Sequence, residues 1–182
     1  APWRCPAGRS GPQAEVKDMD KVLSLKDLKT FFFTREGVAK AVNGVTLSLD
    51  KKEILGVVGE SGCGKSVTGL SILRLVPHPG KIVSGEIFLD GQDLLQLPLD
   101  RMRQIRGDQI SMIFQEPMIS LNPAFTIGDQ LMEALRVHRR ISKAEARDQA
   151  VEMLRMVEIP EPERRFKEYP HQLSGGMRQR VM

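Results

Sequence analysis

Gly59-Glu60-Ser61-Gly62-Cys63-Gly64-Lys65-Ser66 is the stretch on which the reading of this chain turns, because it fits the pattern G-x-x-x-x-G-K-[ST] at every fixed position. Glycines there let successive backbone N–H groups turn inward as an anion nest, which a Cβ would obstruct, and a following helix adds its positive N-terminal end. The run Ile54 to Val58 before the loop has the composition of a short strand buried on both faces. After it, Val67, Leu70, Leu73 and Leu75 approximate helical spacing. Strand, glycine-rich loop, helix is the context that gives the pattern its meaning. In such a loop Lys65 reaches the β- and γ-phosphates as a point charge, and the Ser66 hydroxyl takes a Mg²⁺ position. The chemistry implied is nucleoside triphosphate binding.

Upstream, residues 22–35 and 38–50 are rich in β-formers, with alternation clearest at Val45, Leu47 and Leu49, and are predicted to be strands of an antiparallel layer. Downstream, residues 85–90 read as a strand closed by the turn signal Asp90-Gly91, and 110–114 (ISMIF) as another buried run. From about residue 125 the pattern becomes helical. Thr126 and Asp129 are spaced as an N-terminal cap ahead of Leu131 and Leu135. Ser142 and Glu145 form a second capping pair, with Ala150, Met153, Leu154 and Val157 on one face and Pro160 and Pro162 as stops. Roughly 125–172 is read as a small helical subdomain.

The 182 residues, 41 % hydrophobic and 27 % charged, are those of a soluble globular domain long enough to bury roughly 70 % of its unfolded surface. No run of 18 uncharged apolar residues exists to span a bilayer. Residues 1 to about 20 have no apolar core of a signal peptide and are read as a flexible leader. The missing initiating Met and the stop at Met182 read as those of a piece of a longer reading frame. The net charge of +4 permits anionic partners without selecting one. Cys5 and Cys63 are too far apart for a metal-ligand spacing and fit a reducing cytoplasm. The basic run Arg136, His138, Arg139, Arg140 reads as a solvated helical face.

Two further segments narrow the family. Leu173-Ser174-Gly175-Gly176-Met177-Arg178-Gln179-Arg180 resembles the signature motif of ABC ATPases, with Met177 where glutamine is commonest, and Met112-Ile113-Phe114-Gln115-Glu116-Pro117 resembles their Q-loop. The order of phosphate loop, Q-loop, helical insert and signature is that of the ABC family. FQEPMISLNP at 114–123, GVVGESGCGKS at 56–66 and LSGGMRQRVM at 173–182 are similar to the ATP-binding subunits of bacterial dipeptide, oligopeptide and nickel importers, in which methionine at the position of Met177 is usual. The resemblance runs from about residue 22 to the end.

That resemblance implies an α/β fold, a P-loop NTPase cassette of ABC type with an N-terminal antiparallel β subdomain and a helical subdomain, incomplete at its C-terminus. It implies ATP and Mg²⁺ as cofactors, with Gly59, Glu60, Ser61, Gly62, Cys63, Gly64, Lys65 and Ser66 around the phosphates. Ser66 and Gln115 are implied on the metal side, Gln115 also facing the attacking water. Ser174, Gly175 and Gly176 are implied to meet the γ-phosphate of ATP held by a second ABC subunit, two cassettes sandwiching two nucleotides. An aromatic residue upstream of the loop stacks on adenine in the family; of Phe31, Phe32 and Phe33, Phe33 is the choice made here, and strand alternation leaves at least one of the three in ordinary core. The partners implied are that second subunit and transmembrane permease subunits, at the cytoplasmic face of the plasma membrane, with no nucleic acid.

The Asp-Glu pair that ends an apolar strand after the signature, and a later switch histidine, are absent from these 182 residues. The segment is therefore expected to bind nucleotide without hydrolysing it, and to expose a sheet edge of buried type. Cys63, beside Lys65 in the loop, is expected to react with alkylating reagents and to be shielded by ATP. Two other classes remain open at this stage: a soluble ABC ATPase acting on nucleic acid or in translation, and a catalytically silent nucleotide-binding module.

Overall fold

A computed structural model describes residues 21–114 and 120–182, which fall into two compact units meeting in sequence at Leu97 and Pro98.

The first unit is built on two long strands, β1 (Lys21–Thr34) and β2 (Gly37–Asp50), joined by a two-residue turn and paired antiparallel. The helix α1 (Lys65–Ile72) follows the glycine-rich loop, and β3 (Gly80–Leu89) and β4 (Gln92–Asp93) complete a sheet of order β2-β1-β3-β4. The predicted antiparallel layer is therefore present. Val45, Leu47 and Leu49 are half-buried while Thr46 and Ser48 face out, as alternation requires. Asp90 and Gly91 both have positive φ, 46° and 78°, the geometry of the tight turn whose twist suits a hairpin. Leu25, Leu28, Ile87 and Leu94 are wholly buried and form the centre of the unit.

Helix α1 stops short of its apolar pattern. Arg74 takes a left-handed φ of 52°, its N–H bonds to the Ser71 carbonyl and that of Leu75 to the Leu70 carbonyl, so the chain turns away with its last carbonyls satisfied. Leu73 is buried and Leu75 is left exposed. The helix is tied to the sheet through two wholly buried hydroxyls, Thr30 Oγ1 and Ser71 Oγ, 2.8 Å apart.

Two predicted buried strands do not form. Residues 54–58 and 111–114 carry no strand pairing, and Ile54, Val58 and Ile113 are 96 %, 94 % and 77 % exposed. Their composition suits strands covered on both faces in a parallel sheet. Such a strand takes its ladder and its burial from neighbours, and among the described residues none pairs with either run; Ile110 makes only an isolated bridge to Arg106. The expected sheet edge of buried type is therefore not formed among the described residues, and the apolar side chains of these runs are exposed on irregular chain.

The second unit is helical: α2 (Leu99–Ile105), α3 (Ile127–His138), α4 (Lys143–Met156), α5 (Pro162–Arg165), a 3₁₀ turn at Pro170–Gln172 and α6 (Gly175–Val181). Both predicted caps form. The Thr126 hydroxyl accepts the Asp129 N–H at 3.1 Å and the Ser142 hydroxyl accepts that of Glu145 at 3.1 Å, each satisfying one orphan donor of a first turn. The buried face of α4 is Ala146, Ala150, Val151 and Leu154. Met153 and Val157, predicted on that face, are exposed. The predicted stripe is rotated: Ala146, Ala150, Val151 and Leu154 are buried in one cluster with Ile127, Leu135, Phe166 and Leu173. Helix α4 ends at Met156, before the prolines; Glu158 just beyond it takes a left-handed φ of 56°, and the Ile159 N–H bonds back to the Leu154 carbonyl.

Candidate functional site: the phosphate loop and the start of α6

The loop 59–66 is shaped by two left-handed glycines, Gly62 with φ 83° and Gly64 with φ 97°, a region that disfavours any Cβ. Gly64 is constrained twice. A Cβ there would land on the carbonyl oxygen of Ala41 in β2, with Ala41 C at 3.3 Å and Val42 Cγ2 at 3.8 Å. The carbonyl is available because Ala41 is an extra residue in its strand: Thr30 pairs with Val42 and Phe31 with Lys40, leaving Ala41 bulged between them. The loop's turn into α1 thus sits against a bulge of the sheet.

Within the loop the Cys63 N–H donates to the Glu60 carbonyl at 3.3 Å. The Lys65 ammonium folds back to donate to the carbonyls of Gly59 at 2.6 Å and Glu60 at 2.7 Å, and lies 3.5 Å from Cys63 Sγ. Gly59, Glu60, Ser61, Gly62, Cys63 and Ser66 are exposed. The first intrahelical bond of α1 runs from the Thr68 N–H to the Gly64 carbonyl at 2.8 Å, so the N–H groups of Lys65, Ser66 and Val67 are first-turn donors without helical partners. Unused donors, a cation and an exposed hydroxyl at one helix start can hold an anion. The donor set also fits magnesium. Ser66 supplies one hard oxygen, and Mg²⁺ commonly takes one or two protein oxygens and fills the rest with phosphate oxygens and water. Among the described residues no group of three or more His, Cys, Asp or Glu could hold a metal without such a ligand.

Of the three phenylalanines, Phe33 is 45 % exposed while Phe31 and Phe32 are half-buried. None is fully buried, contrary to the expectation of one core ring, because the three lie at the hairpin end of the strand rather than at its covered centre. The Lys40 ammonium lies over the Phe31 ring, 5.7 Å from its centroid. Gln115 lies outside the described residues.

In the helical unit, Ser174, Gly175 and Gly176 are exposed at the start of α6, and the Ser174 hydroxyl accepts the Met177 N–H at 3.3 Å. A Cβ on either glycine would meet nothing within 4 Å, so the space over this turn is open. Leu173 is buried, and Met177 and Val181 pack on the helical core. The far end of α6 is held by Arg180, whose guanidinium donates to the carbonyls of Val157 at 3.1 Å and Glu158 at 2.6 Å, carbonyls at the C-terminal end of α4 that attract a cation. The arginines of the basic run, Arg136, Arg139 and Arg140, are exposed, as a solvated face would be, with His138 half-buried. Sequence reasoning missed Arg180 and the Thr30–Ser71 pair. For Thr30 the available signal was a hydroxyl next to the apolar run of Phe31, Phe32 and Phe33; for Arg180, a cation on the turn before the helix end.

The family model described as ABC transporter matches residues 42–182. The chain is 51 % identical over 175 residues to the probable peptide ABC transporter ATP-binding protein y4tR of Sinorhizobium fredii, covering 96 % of this chain and 51 % of that protein. It is 52 % identical over 165 residues to the dipeptide transport ATP-binding protein DppD of Bacillus subtilis, covering 90 % of this chain and 49 % of that protein. The chain therefore spans about half the length of the curated relatives it matches. Among solved structures, the dimeric bacterial cassette MJ0796 superposes with a TM-score of 0.75 at 32 % identity, over 87 % of this chain and 66 % of that one. The same cassette bound to ADP and Pi in a post-hydrolysis state superposes equally well.

Proposed function

The chain belongs to the ABC transporter family, and from that premise we propose that it is part of an ATP-binding subunit that couples ATP binding and hydrolysis to the uptake of dipeptides, oligopeptides or nickel. The observation that carries the proposal is the start of α1: three first-turn N–H groups without helical partners, the Lys65 ammonium and the Ser66 hydroxyl stand together behind an exposed glycine turn. The names of the relatives, peptide and dipeptide transport ATP-binding proteins, support the substrate class.

On this reading residues 59–66 hold the phosphates of ATP, and Lys65 exchanges its two carbonyl partners for phosphate oxygens. Ser66 and Gln115 are the residues that hold Mg²⁺, which when bound neutralises charge developing on the phosphates. Gln115 orients water through an amide that both donates and accepts. Phe33 offers its exposed face to adenine. Ser174, Gly175 and Gly176 meet the nucleotide of a second ABC subunit, so that ATP binding favours the closed dimer. The remaining partners are permease subunits, with the protein peripheral at the cytoplasmic face of the membrane. Residues 21–182 make up the part of the cassette from the β subdomain through the helical subdomain, about 125–172, to the signature. This stretch by itself is expected to bind ATP without turning it over.

The test is the mass of the full-length protein in solution. With Mg²⁺ and a non-hydrolysable ATP analogue the sedimenting species should double in mass, and Lys65→Ala should stay at monomer mass. A wild-type protein that neither binds the analogue nor changes mass with it would overturn the proposal.

A further inference from the structure

We propose that Arg180 is a positioning residue for the contact between subunits: by clasping the end of α4 it holds the start of α6, with Ser174, Gly175 and Gly176, in the direction that meets nucleotide on a second subunit. The inference rests on the two-subunit reading above and adds a residue that touches no nucleotide itself.

The clasp follows from the way α4 ends. The Glu158 N–H bonds to the Arg155 carbonyl at 2.8 Å and the Ile159 N–H to the Leu154 carbonyl at 2.9 Å, with Glu158 left-handed at φ 56°. That pair of bonds closes the helix on its own late carbonyls. The carbonyls of Val157 and Glu158 lie beyond the closure. They accept from Arg180 instead, at 3.1 Å and 2.6 Å from a single guanidinium nitrogen, Nη1. One side chain of α6 thereby holds a turn that stands 22 and 23 residues earlier in the chain.

Along its length α6 meets the helical core through an apolar stripe. Leu173 is buried, and Met177 and Val181, each four residues further on, are partly buried against the same cluster. Burial of apolar surface is non-directional, and methionine adapts its shape to what surrounds it. Such a stripe holds a helix down without fixing its rotation. Hydrogen bonds from a charged donor are directional and strong, so Arg180 supplies the constraint that the stripe lacks. Ser174 lies six residues before Arg180, roughly 9 Å along the helix. Its hydroxyl accepts the Met177 N–H of α6 itself and so turns with the helix, and a Cβ on Gly175 or Gly176 would meet nothing within 4 Å. The direction of this exposed turn is therefore set from the far end of α6. In a two-fold pair of subunits the clasp acts twice, so its loss is squared in the dimer dissociation constant.

The test uses the full-length protein and three measurements. Sedimentation with Mg²⁺ and adenylyl imidodiphosphate gives the dimer dissociation constant. Calorimetry with Mg-ADP, which lacks the γ-phosphate, gives the affinity of the subunit's own loop, and thermal unfolding gives stability. Arg180→Ala should weaken the dimer about three- to tenfold per clasp, the span of a hydrogen bond of ordinary net strength, and so about 10- to 100-fold in all, with Mg-ADP affinity kept within about twofold. Arg180→Lys should recover most of the loss, because one nitrogen makes both bonds and an ammonium carries enough donors for two carbonyls. Ser142→Ala separates positioning from stability: it removes the cap at the opposite end of α4, lowers the melting temperature and should leave the dimer within about twofold of wild type. Dimerisation of Arg180→Ala at wild-type strength would overturn the inference. So would an equal weakening by Ser142→Ala, a lysine variant no better than alanine, or a loss of Mg-ADP affinity as large as the loss of dimer. A wild type that binds Mg-ADP yet stays at monomer mass with the analogue would instead overturn the two-subunit reading, and one that binds neither nucleotide would overturn the nucleotide reading itself.

Discussion

Gly64→Ala tests the phosphate loop at its most constrained point. The new methyl group meets two separate costs. The first is conformational: at φ 97° an L-residue with a Cβ costs about 1–2 kcal/mol. The second is steric. The Cβ would overlap the Ala41 carbonyl oxygen, and the atoms around it are backbone of β2 and the Val42 methyl at 3.8 Å rather than the end of a flexible side chain. Crowding of this kind costs about 1–3 kcal/mol. Alanine also restricts the unfolded chain, which returns about 0.4–1 kcal/mol, so the net loss should centre near 3 kcal/mol. Gly62→Ala is the matched control: it shares the left-handed conformation, φ 83°, but its Cβ would meet nothing within 4 Å, leaving a net loss of about 1 kcal/mol or less.

The strain has two outlets. If the loop stays docked, the unit loses stability and the urea midpoint falls. If the loop lifts from β2, the donors at the start of α1 lose their arrangement and ATP affinity falls, by on the order of 100-fold for the full 3 kcal/mol. Urea unfolding and ATP calorimetry on the full-length protein capture both, and their combined loss should be clearly larger for Gly64→Ala than for Gly62→Ala. Equal effects of the two substitutions would refute the argument from the Ala41 carbonyl, and wild-type behaviour of both would refute the described loop geometry.

Lys65→Ala should weaken ATP binding roughly 10- to 150-fold, the range of a charge-assisted hydrogen bond, and unchanged affinity in calorimetry would remove Lys65 from phosphate binding. Cys63 is exposed and should be alkylated, with Mg-ATP slowing the reaction because the phosphates cover the loop; mass-spectrometric labelling at equal rates with and without nucleotide would contradict the site. In the helical unit, the Glu163 carboxyl is held below its ordinary value, first by its own backbone N–H and then by the adjacent Arg155 guanidinium. A depressed carboxylate contributes stability that is present above its unfolded value and is lost as pH falls through the folded one. Acid unfolding should therefore steepen below the ordinary carboxylate range, and Glu163→Gln should flatten that limb; identical acid limbs would count against the pair.

What could be read from the sequence was whatever is decided within a few residues. The caps at Thr126 and Ser142 depend on a side chain and an N–H three positions away, and both formed where the spacing indicated. The β1–β2 hairpin announced itself through alternation at Val45, Leu47 and Leu49. The turns and the phosphate loop rest on glycines whose need for positive φ is local. The runs at 54–58 and 110–114 failed for the complementary reason. Apolar composition states that a segment can be buried, not what will bury it, and a parallel strand is made by its neighbours. The α4 face failed by a rotation, since Met153 and Val157 fit the helical period as well as Ala146 and Val151 do, and only the packing of the helical core decides between them.

The same division explains why the candidate site could be proposed from sequence while its support could not. The identities of Lys65 and Ser66 follow from a motif, whereas the atoms that fix their direction come from Thr30, Ala41 and Ser71, which are linked to the loop only through the fold. On its N-terminal side the loop follows 54–58, which pairs with no strand among the described residues; on its C-terminal side it runs into a helix held at both ends. On the proposed reading, the orientation of the phosphate donors is therefore inherited from α1 rather than from the chain that precedes the loop. A change in the seating of α1 on the sheet moves every N–H of the nest together, so substitutions at buried positions remote from the nucleotide should alter its affinity without altering which atoms bind it.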